Sequence, residues 1–285
     1  MPLLGAHMSI AGGLHLAFSR IREVQGEALQ IFTSNQRQWR TPALTEAMVA
    51  LFQKRWQENG HMPVAAHDSY LINLAAPDTE TLRRSVAAFA DELRRAATLG
   101  IPFLIIHPGS HRGQGVEAGL ETFVQNMDRA IRLSKTSSVR VLIETTAGQG
   151  TGLGSTFEEI AFILSRSRHG DALGVCFDTS HSFAAGYDIR TRKAYQETFS
   201  QFDRIIGLER LEFFHLNDSK RPLGSRVDRH EHIGVGEMGL EGFRLLMNDR
   251  RFRNHPMVLE TPKGKDLYED KRNLRLLRSL ITRQS

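Results

Sequence analysis

Seven short runs of apolar, β-branched and aromatic residues in this chain end on a side chain that can bind a metal or move a proton: His7, His67, His107, Glu144, Asp178, His215 and Glu260. Three more such groups lie just past the ends of runs, His181 in DTSH and Asp228 and His230 in VDRH. Setting His7 aside, the set is five imidazoles and four carboxylates, a nitrogen and oxygen donor set that suits Zn2+ and tolerates Mn2+. Any one of these residues alone reads most simply as a polar side chain satisfied at the edge of a core. Nine gathered in one place would be mutually repulsive and poorly solvated unless cations or strong hydrogen bonds offset the charge, so bound metal is the economical reading. A zinc site uses about three or four protein ligands and leaves room for water, so nine donors imply more than one ion.

Bringing together residues as far apart as His67 and Glu260 calls for a fold whose strand ends converge. The expected strands are Leu3–His7, Ala28–Thr33, Pro63–His67, Phe103–His107, Val139–Glu144, Gly174–Asp178, Glu212–His215 and Met257–Glu260, each followed by a stretch of helical period. This alternation predicts an α/β protein, a single (β/α)8 TIM barrel over residues 1–285, with its site at the C-terminal face of the strands. The clearest helix spans about Thr79 to Leu99, with Leu82, Val86, Phe89, Leu93 and Ala97 on one face and Gly100 as its stop. Ser155 and Glu158 predict a capping box that starts a later helix. The charged, glycine-rich stretch from Asn217 to Gly239 reads as a functional loop, as do 34–42 and 108–115.

The chain has 285 residues, 40% of them hydrophobic, enough to bury a large core in one domain. No apolar run approaches the ~20 residues that cross a bilayer, and the opening MPLLGAHMSIAGG lacks a basic, long-apolar leader pattern, so a cytoplasmic protein is expected. Cys176 is the one cysteine and sits in an apolar run, which excludes an internal disulfide and a thiolate cage and predicts a buried packing residue. The net charge of +5 favours a polyanionic partner only if the basic residues surround the site.

The segments SNQRQWR (34–40), HDSYLINL (67–74), HPGSH (107–111), IETTAGQG (143–150), FDTSHSFAAGYD (177–188), HLNDSK (215–220) and SRVDRHEHIG (225–234) resemble the endonuclease IV family, in order from GAHMSIAGG to VLETP at 258–262. The resemblance implies a (β/α) barrel with three zinc ions: His67, His107 and Glu144 on the first, Glu144, Asp178, His215 and Glu260 on the second, and His181, Asp228 and His230 on the third. It further implies a DNA-repair endonuclease that cuts 5′ to abasic sites in double-stranded DNA, leaves a 3′-hydroxyl and a 5′-deoxyribose phosphate, and also cleans blocked 3′ ends. Glu144 would orient the nucleophile and Glu260 its metal. Arg37, Gln38, Tyr70 and Leu71 match positions that enter the minor groove and fill the space left by a flipped nucleotide. Lys220, Arg221 and Arg226 are candidates for phosphate contacts, and His7 and His111 for hydrogen bonds to ligands or substrate. A monomer is expected, because a site that embraces bent duplex needs open space. Thr145, Ser180 and Val235 depart from common family residues, and Thr145 adjoins the bridging carboxylate.

Two rivals remain at this level. A sugar isomerase or epimerase barrel needs fewer ligands, and leaves Asp228, His230 and the loops of Arg37 and Tyr70 without purpose. A non-catalytic DNA-binding barrel would use closed, structural metal sites.

Overall fold

In the computed structural model, which describes residues 1–264 and 266–282, eight parallel strands close into a barrel. In chain order the strands are β1 (Leu3–His7), β2 (Ala28–Phe32), β3 (Val64–His67), β4 (Phe103–Ile106), β5 (Arg140–Glu144), β6 (Leu173–Asp178), β7 (Leu211–Leu216), β8 (Asp218–Ser219), β9 (His230–Glu231) and β10 (Pro256–Leu259). All but the short β8 and β9 belong to the barrel, and β10 pairs back to β1. The helices are α1 (Leu16–Glu23), α2 (Glu46–Glu58), α3 (Thr79–Leu99), α4 (Val116–Ser134), α5 (Phe157–Arg166), α6 (Thr179–Ala185), α7 (Arg192–Ile205), α8 (Gly239–Met247) and α9 (Tyr268–Ser279). The expected barrel is therefore the observed fold, and the strand ends differ by a few residues at most. Residues 265 and 283–285 of the expected 1–285 domain lie outside the described residues.

Side chains of a strand alternate between two faces, and in a closed barrel one face is the interior. Ala28, Ala65, Ile105, Leu142, Cys176, Phe213 and Val258 pack together inside the barrel, while the larger core lies between the strands and the helices. Cys176 is thus buried packing, as expected. Two residues after each of these interior positions stand Gln30, His67, His107, Glu144, Asp178, His215 and Glu260, and two after Gly5 stands His7. The pleat alone aims all eight at the same mouth.

Helix α3 runs as predicted, with Asp78 capping Thr81 N at 2.8 Å and Gly100 closing it at φ 80°. The start of α5 lies one residue later than expected. Thr156, not Ser155, is the cap, accepting from Glu159 N at 3.2 Å, while Glu159 reaches back to the N–H groups of Gly154 and Ser155. Phe157, Ile160 and Ile163 form the buried face of α5, with Phe157 stacked on Tyr187 at 3.8 Å between ring centroids.

The stretch 217–239 is not structureless. Strand β8 pairs antiparallel with β9, which returns the chain over the barrel mouth. The Asp218 carboxylate accepts from the N–H groups of Ser219, Gly234, Gly236 and Met238 at 2.7 to 3.0 Å. Sequence periodicity cannot report such a ribbon, since each of its strands is two residues long and one buried carboxylate holds it.

Gly5 faces the backbone of β2, and a Cβ there would lie 1.7 Å from the Ala28 carbonyl oxygen. Overpacking of a core typically costs about 1–3 kcal/mol, and this clash is with backbone that cannot rotate away. Gly5→Ala should therefore destabilise by more than about 3 kcal/mol, read as a fall in the urea midpoint, and an unchanged midpoint would show that β1 and β2 pair differently.

Candidate metal centre

Glu144, fully buried at the end of β5, is the hub of the barrel mouth. Its Oε2 lies 3.0 Å from the Nε2 atoms of His67 and His107, and its Oε1 lies 3.0 Å from His215 Nδ1 and 3.1 Å from His181 Nδ1. Burial alone would raise its pKa, but the charges of His107 and His215 and the close approach of His107 and His181 hold it well below the usual carboxylate range. Burial works against charge on His67 too, yet the bond to Glu144 and the charges of Glu144, Asp68 and Glu260 raise it to about 10. Glu260 likewise sits low despite its burial, chiefly through the charge of His215.

The rings are oriented from behind. A ring nitrogen that faces a carbonyl must carry the hydrogen, because the carbonyl only accepts. His67 Nδ1 donates to Asp68 O at 3.0 Å, His181 Nδ1 to Thr145 O at 3.0 Å and His230 Nδ1 to Glu260 O at 3.2 Å. When neutral, rings fixed this way present bare lone pairs on Nε2. His181 and His230 point those Nε2 atoms at each other across 3.3 Å, with Asp228 Oδ1 at 3.3 and 3.4 Å from the two. Three acceptors face one another there, an arrangement that a cation or an added proton must relieve. His107 Nε2 is buried and has no hydrogen-bond partner, although Glu144 is close.

These donors fall into three groups: His67, His107 and Glu144; Glu144, Asp178, His215 and Glu260; and Asp178, His181 and His230, within each of which the donor atoms lie within 4.8 Å of one another. The structure thus brings all nine candidates to one mouth. Asp178 reaches further than expected, toward His230 Nε2 as well as His215 Nδ1, at 3.8 Å each. Asp228 joins the third group through His181 and His230 and is the most exposed, its side chain at 47%. The pairing of Asp178 with His181 is local: Asp178 is the cap of α6, and its Oδ1 accepts from His181 N at 2.8 Å. A D-x-x-H segment at a helix start therefore sets two donors side by side.

The reading from sequence missed two buried residues. Gln30 Nε2 donates to Glu260 Oε1 at 2.6 Å and reaches His7 Nδ1 at 3.0 Å, while its Oε1 lies 2.7 Å from His215 Nε2. Asn217 donates to Asp178 Oδ2 at 2.7 Å and accepts from Glu260 N at 3.0 Å. The signal for Gln30 in the sequence is an amide inside the apolar run ALQIF. Thr145 takes a hydrogen bond from Asp178 N at 2.9 Å and from Ser182 Oγ at 3.1 Å, so this departure from the family residue bears directly on how Asp178 is held. Ser180 Oγ is buried without a partner, and Val235 is exposed.

Around the mouth, His7 touches Glu260 at 3.1 Å, as a residue behind a ligand would. His111 does not reach the nine: its Nδ1 accepts from Gly113 and Gly115, stitching its own loop. Arg37, Gln38, Tyr70, Lys220, Arg221 and Arg226 are all exposed, and Leu71 is half-buried. Tyr70 stands between a cleft of about 300 Å3, lined in part by Leu71, His107, His181 and Asp228, and one of about 400 Å3, lined in part by His7, Phe32 and Glu260. The loop of Arg37 and Gln38 is moored to α3, where buried Glu92 accepts from Thr33 and Ser34 and Arg95 donates to the carbonyls of Thr33 and Pro42. Arg226 adopts φ 53° and donates its N–H to Ala184 O at 2.9 Å, tying its loop to α6. Lys220 lies 3.7 Å from Glu231. No helix among the described residues is long and apolar enough to cross a membrane.

Residues 18–280 match the model of the family described as xylose isomerase-like TIM barrel. A Chloroflexus aggregans protein described as a probable endonuclease 4 is 52% identical over 281 residues, 99% of this chain and 98% of its own. The crystal structure of endonuclease IV from Thermus thermophilus superposes with a TM-score of 0.88 at 38% identity, covering 98% of both chains. A D-tagatose 3-epimerase-like protein shares the fold at a TM-score of 0.72 over 97% of this chain and 96% of its own, with only 17% identity.

The raised His67 pKa sets a sign. In metal-free protein its pairing with Glu144 stabilises the fold in full below its ordinary value of 6.5 and is lost as pH rises through about 10. Melting temperature of the metal-stripped chain should fall between pH 7 and 10, and adding Zn2+ in weak buffer at pH 7 should release protons, detected with an indicator dye. A flat melting profile with no proton release would mean that the imidazoles are already neutral.

Proposed function

The chain belongs to the endonuclease IV family of DNA-cleaving hydrolases, and from that premise we propose that it cuts the phosphodiester bond 5′ to abasic sites in double-stranded DNA, leaving a 3′-hydroxyl and a 5′-deoxyribose phosphate. The observation that carries this reading is the third donor group. His181, His230 and Asp228 share the mouth with the groups built on Glu144, whereas sugar isomerisation or epimerisation at a single divalent ion would leave them idle. A purely structural metal role accords poorly with donors that line an open cleft.

His67, His107 and Glu144 would hold one zinc ion, Glu144, Asp178, His215 and Glu260 a second, and His181, Asp228 and His230 a third, with Mn2+ an alternative occupant. Bound there, such ions supply Lewis acidity toward the phosphate and make water acidic enough to act as nucleophile at neutral pH. The protein's own part is placement. Glu144 spans the first two groups, and its fully buried carboxylate orients the attacking water. Glu260, gripped by His7 and Gln30, keeps the second group in register.

Tyr70 and Leu71 stand beside the donors, and with Arg37 and Gln38 on the loop moored to α3 they are suited to enter the minor groove and occupy the gap of an extruded abasic nucleotide. Extrusion is cheapest where a base is already missing, which gives the lesion its preference. Lys220 and Arg226, exposed on the loop between β8 and β9, would meet phosphates. Removal of blocked groups from 3′ ends would use the same donors. The protein would act as a monomer, one domain per chain, in the cytoplasm at the nucleoid.

A nicking assay on duplex with one abasic site, alongside metal content per chain, tests the proposal. Chelation should abolish nicking, and activity persisting in metal-stripped protein would sink the reading, as would sugar turnover without nicking. Glu144→Gln should lower kcat by at least about 100-fold while abasic-duplex affinity changes by only a few fold, and an equal loss of both would remove Glu144 from the chemistry.

A further inference from the structure

Gln30 sits on the inward face of β2, two residues beyond Ala28, and is fully buried. For the fold alone an aliphatic side chain would serve at this depth of a barrel, and an amide is costly there unless its groups are bonded. Each of its bonds dictates the next. The Glu260 carboxylate only accepts, so the amide nitrogen must face it, at 2.6 Å. That turns Oε1 toward His215 Nε2, at 2.7 Å, which must then carry the ring hydrogen. His215 Nδ1 is then the one ring nitrogen open to an ion, and without an ion it donates toward Glu144 Oε1 at 3.0 Å and Glu260 Oε2 at 3.2 Å. Unlike His67, His181 and His230, which are oriented by backbone carbonyls, His215 relies on a side chain for its orientation.

We propose that Gln30 is the positioning residue of the second ion, setting which nitrogen His215 offers and steering the Glu260 carboxylate with one amide. This rests on the reading that Glu144, Asp178, His215 and Glu260 hold an ion. His7 Nδ1, 3.1 Å from the same Glu260 oxygen, holds that carboxylate from the β1 side.

The test compares Gln30→Met, near in shape but without the amide, and Gln30→Glu, which keeps an oxygen toward His215. Circular dichroism confirms folding. In Gln30→Met, zinc titration should show one site weakened about 10–100-fold with the others unchanged, and 15N spectra of the imidazoles should lose the fixed Nε2–H pattern of His215. The zinc-loaded variant should lose kcat on abasic duplex with KM retained. Gln30→Glu should keep the His215 pattern. An unchanged zinc isotherm, an unchanged His215 pattern in Gln30→Met, or equal weakening of every site would each overturn the proposal. If the unaltered protein fails to nick abasic DNA while these differences persist, the functional reading falls and the role of Gln30 stands.

Discussion

A carboxylate with no exposed surface, ringed by four imidazole nitrogens at 3.0 to 3.1 Å, is the feature on which the rest of the barrel mouth depends. Glu144 is tolerable there only because positive charge surrounds it, whether protons on the rings or ions between them. Everything around it serves that balance. Two of the rings are held by their far nitrogens, His67 by the carbonyl of Asp68 and His215 by Gln30, and His181 is held by the bond of Nδ1 to Thr145 O. Such a mouth is primed for cations, since the same orientation that confines the rings exposes their lone pairs inward.

The barrel supplies this geometry through its pleat. Interior side chains recur every second residue, so the apolar layer that holds Ala65, Ile105, Leu142, Cys176, Phe213 and Val258 lies directly beneath the layer of His67, His107, Glu144, Asp178, His215 and Glu260. Stability and chemistry are separated by two residues along each strand. The lower layer is apolar and fully buried, and the upper layer meets the clefts on either side of Tyr70.

The third donor group is built differently. Asp178 and His181 are placed by the start of α6, while His230 and Asp228 arrive on the ribbon of β8 and β9, tied down by Asp218. That ribbon distinguishes this mouth from what a single-ion sugar barrel needs. Likeness to an epimerase-like protein at 17% identity shows the common scaffold.

Much of this could be read from the sequence. Apolar runs of strand length ending in His or carboxylate specify both the barrel and its polar mouth, because strand period and donor chemistry are local properties of the chain, and the long motifs from SNQRQWR to VLETP carry the family. Other features were decided only by folding. Gln30 acquires a purpose when β7 and β10 bring His215 and Glu260 within reach of β2, contacts separated by 185 and 230 residues. The start of α5, expected at Ser155, falls at Thr156, where Glu159 rather than Glu158 reaches back to the chain. Asp178 reaches two donor groups only because β7 and β9 converge on it. Local pattern names the donors, but which donors share an ion, and which buried amide aims them, depends on distances that exist only once the barrel has closed.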